Sequence, residues 1–217
     1  MPFAMTHLYI AYNIIQKTPQ IKKPNDFLLG AIAPDSVHVR NNYDSDMKFN
    51  SHLCIGNEKW GEVTNNDAWV DNVLCFLKKN RNLQSSDFIY GYCSHILADI
   101  QNNIKVWMPF KEKSKDELKI GNVSVYHQES YAVDYELYLH PKRKVIWNML
   151  EDATAFDISN IVKAVEVNQM KQYLLKEQFE NRESMDVSTN EYVTLANIQK
   201  FIIEESVYIK NMLYVGN

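Results

Sequence analysis

Apolar residues recur at helical spacing through most of the chain. Between 86 and 107, Phe88, Ile89, Tyr92, Ile96, Ile100, Ile104 and Trp107 share one stripe, which predicts a long helix that Ser86 or Asp87 can cap. Residues 5–17 predict a first helix with Leu8, Ala11, Ile14 and Ile15 inward, stopped by Thr18-Pro19. A short second helix starts near Asn25 and carries Phe27 to Ala33 up to Pro34-Asp35, and a third covers 66–80 with Ala68, Trp69, Val73, Leu74, Phe76 and Leu77 inward. Further helices are predicted over 124–139, 142–152, 159–181 and 190–213. The last two bury Ile161, Val162, Val165, Met170, Leu174 and Leu175, then Val193, Ile198, Ile202, Val207 and Ile209. Residues 36–65 show no sustained period and are rich in Asn, Asp and Ser. They read as a long loop with one helical turn around His52, and a loop of that length is usually functional or tied down. Lys111–Leu118 is densely charged and reads as a solvated loop.

Composition narrows the class. With 6 Gly and 6 Pro in 217 residues the chain lacks the turn formers an all-β fold requires, so one all-α multi-helix bundle spanning 1–217 is expected. A net charge of −4 gives no basic excess for a nucleic-acid backbone, so there is no strong nucleic-acid signal. Cys54, Cys75 and Cys93 form no C-x-x-C pair and sit among apolar neighbours, which suits free buried thiols. The N-terminus has no basic and apolar leader pattern, and no apolar run approaches the ~18–20 residues of a transmembrane segment. A cytoplasmic location is therefore expected.

Chemistry enters through His95 and Asp99. Four residues apart on a helix, they lie on one face, roughly 6 Å apart at Cβ. That spacing serves either a shared metal ion or a buried hydrogen-bonded pair. His7 in the first helix, Asp35 after the second and His52 in the long loop add two imidazoles and a carboxylate. Three histidines and two carboxylates on four elements suit a buried nitrogen-and-oxygen metal site. His38 and His140 read as surface residues. An adjacent His-Asp dipeptide and Glu-x-x-His pairs are both absent, which disfavours a His-Asp phosphohydrolase and a di-iron carboxylate bundle.

Thr6-His7-Leu8, Phe27-Leu28-Leu29-Gly30-Ala31-Ile32-Ala33-Pro34-Asp35, Ser51-His52 and Gly91-Tyr92-Cys93-Ser94-His95-Ile96-Leu97-Ala98-Asp99 together resemble the zinc-dependent phospholipase C family, and more narrowly its short cytoplasmic bacterial branch. The resemblance covers about residues 2–107. It implies an all-helical fold, shared with the single-strand-specific zinc nucleases, and one to three zinc ions, two being expected. Carried over position by position, Asp35, His52, His95 and Asp99 match the ligands of one zinc. His7 matches a ligand of a second, with Asp99 bridging. The third zinc of secreted members needs a His where this chain has Lys105, and His127, Glu129 and Asp134 are the remaining possible ligands for it.

The resemblance further implies a metal-dependent phosphoester hydrolase, in which the metal-activated water cleaves a phosphodiester and Asp35 is a candidate general base. The substrate would be a small-molecule phosphodiester or a phospholipid head group. Ser51, Asn102 and Asn103 would orient ligands from outside. The alternative is a non-catalytic helical protein that retains a structural or degenerate zinc site.

Overall fold

The computed structural model describes residues 3–114, 124–180 and 185–214. Ten α-helices run through these residues: α1 (Ala4–Gln16), α2 (Pro24–Gly30), α3 (Ser45–Ser51), α4 (Asn66–Asn80), α5 (Ser86–Asn102), α6 (Met108–Lys113), α7 (Val125–Leu139), α8 (Arg143–Glu151), α9 (Ala164–Lys176) and α10 (Leu195–Tyr214). Among the described residues no strand forms, only an isolated bridge between Ile158 and Val162. The fold is an all-α bundle.

The middle of the bundle is α5, buried on every side from Gly91 to Asn102, and α1, α2, α4 and α10 pack around it. Such burial leaves no solvent to satisfy polar side chains, so His95 and Asp99 must find partners inside the protein. α2 reaches α5 through two glycines. A Cβ on Gly91 would lie 1.9 Å from the Phe27 carbonyl oxygen, and one on Gly30 would lie 2.1 Å from that of Phe88. Only hydrogen fits at either place, and this close approach brings the chain that follows α2 beside His95.

The start of α5 differs from expectation. Ser85 takes the N-cap position without a side-chain bond. Asp87 turns outward instead, and its Oδ2 accepts the backbone N–H groups of Lys22 and Lys23 at 2.9 and 2.6 Å, which fastens the turn between α1 and α2. The far end of α5 continues through a π-helical segment, Asn103–Trp107, into α6. A π turn holds one residue more than an α turn, so the stripe that begins at Phe88 loses its register there. Ile104, placed inward by the sequence period, is exposed. The half-buried Trp107 donates its indole N–H to the Gly61 carbonyl at 2.8 Å.

The expected loop over 36–65 carries more structure than its composition suggests. A 3-10 helix spans Ala33–Val39, and Asp44 caps α3 by accepting the Met47 N–H at 2.8 Å. Arg40 ties this region to α9, with Nε and Nη2 2.8 and 2.9 Å from the Glu166 carboxylate. The α9 helix starts at Ala164 rather than 159, because the Ile158–Val162 bridge holds the preceding residues in a tight turn. Val165 and Val207, expected inside, are exposed, whereas Val167 and Ile209 fill the core. Cys54 and Cys93 are buried, but Cys75 lies on the outer face of α4. Lys111 and Lys113 close α6 instead of opening a loop, and the rest of that charged stretch lies outside the described residues, as does residue 181. No helix among the described residues is long and apolar enough to cross a membrane.

Candidate metal centre

Four elements deliver side chains to one point beside α5. His7 comes from the first turns of α1, Asp35 from the 3-10 helix, and His52 from the residue that ends α3. His95 and Asp99 come from α5 itself. His7, His52, His95 and Asp99 are each at most 2% exposed, whereas the Asp35 side chain is 22% exposed, so the cluster meets solvent at one edge.

Two of the three imidazoles, His95 and His52, are oriented by what the other nitrogen does. His95 Nδ1 lies 2.8 Å from the Ala31 carbonyl, and His52 Nδ1 lies 2.9 Å from the Lys48 carbonyl with the Ser51 hydroxyl at 3.0 Å. A carbonyl only accepts, so both Nδ1 atoms carry the proton, and in neutral rings both Nε2 atoms present lone pairs. Those two Nε2 atoms face each other at 3.2 Å. Two lone pairs at that distance repel unless a metal cation lies between or beside them or a proton is added to His95, whose pKa burial lowers but Asp99 and Asp35 raise overall. His52 is held further by its own carbonyl, which accepts the Trp69 indole N–H at 2.7 Å. Leu53 then reverses the chain at φ 54°, a left-handed conformation rare for leucine, with its carbonyl held by Asn72 at 2.8 Å.

The carboxylates complete the arrangement. Asp99 Oδ2 lies 3.2 Å from His52 Nε2 and 3.6 Å from His95 Nε2, and its Oδ1 lies 3.4 Å from His7 Nε2. Asp35 Oδ1 is 3.5 Å from His52 Nε2, and its Oδ2 is 3.8 Å from His95 Nε2. The His7 ring stacks on that of His95 with centroids 3.6 Å apart. Yet both nitrogens of His7 and both oxygens of Asp99 are buried without a partner in hydrogen-bond geometry. Buried polar atoms are rarely left so, and five donors converging on one place fit a cation-binding site. Two overlapping groups are spaced to hold a metal, His7 with His95 and Asp99, and Asp35 with His52 and His95.

Electrostatics follow from the burial. Burial opposes charge on Asp99, but His95, His52 and His7 around it prevail and hold its carboxyl well below the usual range. Burial likewise opposes charge on Asp35, and Lys48, His95 and His52 together outweigh it, so it too stays ionised. For His7, burial and then the nearby His95 lower the pKa to about 4 against the pull of Asp99. A neutral imidazole beside ionised carboxylates is the protonation state that ligation requires.

The other expected residues lie elsewhere. Glu129 accepts three backbone N–H groups, from Glu191 at 2.8 Å, Tyr192 at 2.9 Å and Val193 at 2.7 Å. Both its oxygens are used in anchoring the approach to α10, so it serves structure. Asp134 Oδ1 accepts the Met5 N–H at 2.8 Å in the first turn of α1. His127 Nδ1 meets the Ser124 hydroxyl at 2.7 Å at the start of α7. None of the three joins a metal-spaced group among the described residues. Lys105, at the position expected for a third-site histidine, pairs with the buried Glu205 at 2.5 Å. Of the outer partners, Ser51 does touch His52, whereas Asn102 accepts from the Tyr126 hydroxyl and Asn103 donates to Val63 and Asn66. His38 and His140 are exposed.

Two residues at the open edge are absent from the set that the sequence motifs point to. Lys48 Nζ lies 2.8 Å from Asp35 Oδ1, and Trp60 stands 4.4 Å from the His52 ring between centroids. Lys48 precedes His52 by four residues, the helical spacing that puts it on the same face, and that spacing was the available clue.

The fold and the site together define an all-helical bundle whose imidazoles and carboxylates converge on a buried point and could hold a metal ion. Residues 6–101 match the family model described as zinc dependent phospholipase C, and this segment, which is similar to that family, contains all five converging residues. Neither the curated proteins nor the solved structures compared gave a significant match.

Proposed function

We propose that this protein is a zinc-dependent phosphoester hydrolase of the phospholipase C type, acting on a small phosphodiester or a phospholipid head group. The observation that carries the reading is the pair of Nε2 atoms 3.2 Å apart, each on a ring whose Nδ1 is committed to a carbonyl. Asp35, His52, His95 and Asp99 would hold one ion, and His7, with Asp99 shared through its second oxygen, would help hold another. Zinc bound there supplies Lewis acidity toward phosphoryl oxygens and brings the pKa of a coordinated water toward ~7.

The chain's own residues do the rest. The Ala31 and Lys48 carbonyls fix the two rings, and the burial of Asp99 keeps bulk water from competing for its oxygens. Asp35 is held so firmly ionised that it is a poor proton acceptor near neutral pH, which supports a ligand role over that of general base. A structural zinc site is closed by four protein ligands, whereas this one opens at Asp35, and that opening favours catalysis over a purely structural ion.

The test combines metal analysis by plasma mass spectrometry with hydrolysis of bis(p-nitrophenyl) phosphate, on untagged protein and its Asp99→Ala variant. Two zinc equivalents and a turnover that disappears with them in the variant are expected. A protein that takes up no zinc on reconstitution, or an Asp99→Ala variant with unchanged zinc and turnover, refutes the proposal.

A further inference from the structure

Among the described residues the cluster opens only at its Asp35 edge, and what stands there selects what can enter. Four of the five converging residues are sealed, so a phosphoester has to approach past Asp35, Lys48 and Trp60. The Lys48 side chain is itself 12% exposed, with its Nζ 2.8 Å from Asp35 Oδ1 and 4.9 Å from the centre of the Trp60 ring. The Trp60 ring is edge-on to His52 and to Trp69, and the neighbouring Gly61 carbonyl is tied to Trp107, so the indole is held from several sides.

An ammonium so placed has two consequences. It has three donors, and the contact with Asp35 engages one, which leaves N–H groups for an oxygen of an incoming phosphate. It also occupies the aromatic face on which a substrate cation would otherwise rest. Quaternary ammonium groups are recognised by such faces, and here the protein's own cation already satisfies the ring quadrupole. A cationic head group would meet Lys48 as a like charge beside an aromatic surface already in use.

We propose that Lys48, seated on Trp60, is a specificity-determining residue that admits phosphoesters with an uncharged head group and excludes those with a cationic one. This rests on the cluster being the phosphoester site proposed above, and it names the substrate class for that site.

Calorimetric titration of the zinc-reconstituted full chain with glycerol 3-phosphate and with phosphocholine tests it without requiring turnover. Wild-type protein is expected to prefer glycerol 3-phosphate by about tenfold, the span of a partly desolvated cation–π contact and its loss. Lys48→Met, which keeps the apolar stem on Trp60, should shrink the preference to about twofold or less, and Lys48→Arg should retain it. Zinc content measured on each variant separates lost ligand recognition from lost metal. Equal or tighter phosphocholine binding by the wild type, an undiminished preference in Lys48→Met, or binding of neither ligand overturns the inference. A protein that shows the preference but hydrolyses no phosphodiester refutes the hydrolase reading alone.

Discussion

Replacing Gly91 by alanine puts one methyl group into the contact between α2 and α5, and its effects can be worked through to the metal. The new Cβ would stand 1.9 Å from the Phe27 oxygen and 2.8 Å from the Phe27 carbonyl carbon. These are backbone atoms of a helix, which cannot rotate aside as a side chain can. To reach ordinary contact, α2 has to retreat by about 1.5 Å. The Ala31 carbonyl that fixes His95 follows directly on α2 and accepts at 2.8 Å, so a retreat of that size takes it out of hydrogen-bonding range. Overpacking of this kind costs about 1–3 kcal/mol and the lost buried hydrogen bond about 1 kcal/mol. For a chain of this length a total near 3 kcal/mol lowers Tm by roughly 10 °C. Freed from Ala31, His95 can also turn its ring, so zinc affinity should fall on the order of tenfold or more, the usual cost of losing a ligand's orienting partner. Thermal melts and competition for zinc against a chromogenic chelator measure the two effects. A Gly91→Ala protein with wild-type Tm and wild-type zinc affinity would refute the argument that this glycine sets the site's geometry.

Two more outcomes follow from the described contacts. Glu129→Ala removes an acceptor from three buried backbone N–H groups and should destabilise the protein by about 2–4 kcal/mol while leaving zinc stoichiometry unchanged. A loss of zinc equivalents in the folded variant would restore Glu129 as a ligand. In metal-free protein, the His7 pKa of about 4 lies below the unfolded value of 6.5, so the folded state takes up this proton less readily. Its contribution is complete above pH 6.5 and falls away as the pH drops to about 4, by up to about 3 kcal/mol. His52, also lowered, acts in the same direction, and His95, which is raised, loses its contribution only as the pH climbs above 6.5. Urea midpoints between pH 7 and 4.5 in the presence of chelator should show a shallower fall for His7→Gln than for wild type; parallel curves would exclude His7 as a source.

Much of this was legible in the residues because helical spacing and burial coincide. The α4 boundaries follow from the apolar period, and His95 and Asp99 are brought to one face by the turn of the helix alone. The all-α class followed from the scarcity of turn formers. What escaped lay in contacts between distant segments. Ile104 was misplaced because a π turn leaves no mark in a periodicity count. Asp87 was read as a cap, but its carboxylate is claimed by Lys22 and Lys23, some 64 residues away along the chain. Glu129 was a possible ligand by residue type, and only the fold reveals three amides waiting for it. Lys48 and Trp60 reach the cluster from a stretch whose composition suggested loop, so nothing in their immediate neighbours announced them.

The π segment after α5 has a meaning for how this site can tolerate change. A single surplus residue between Asn103 and Trp107 sets the phase between the half of the helix that carries His95 and Asp99 and the half that carries Trp107. Trp107 in turn grips Gly61, the neighbour of Trp60, so one helical irregularity adds to the direct contacts of Trp60 with His52 and of Lys48 with Asp35 in setting the entrance beside the converging residues. Deleting one residue there would restore an ordinary α-helix and rotate Trp107 by roughly 100° away from Gly61. The five converging side chains lie outside the deleted segment, and Trp60 would lose one of the ties that hold the entrance beside them.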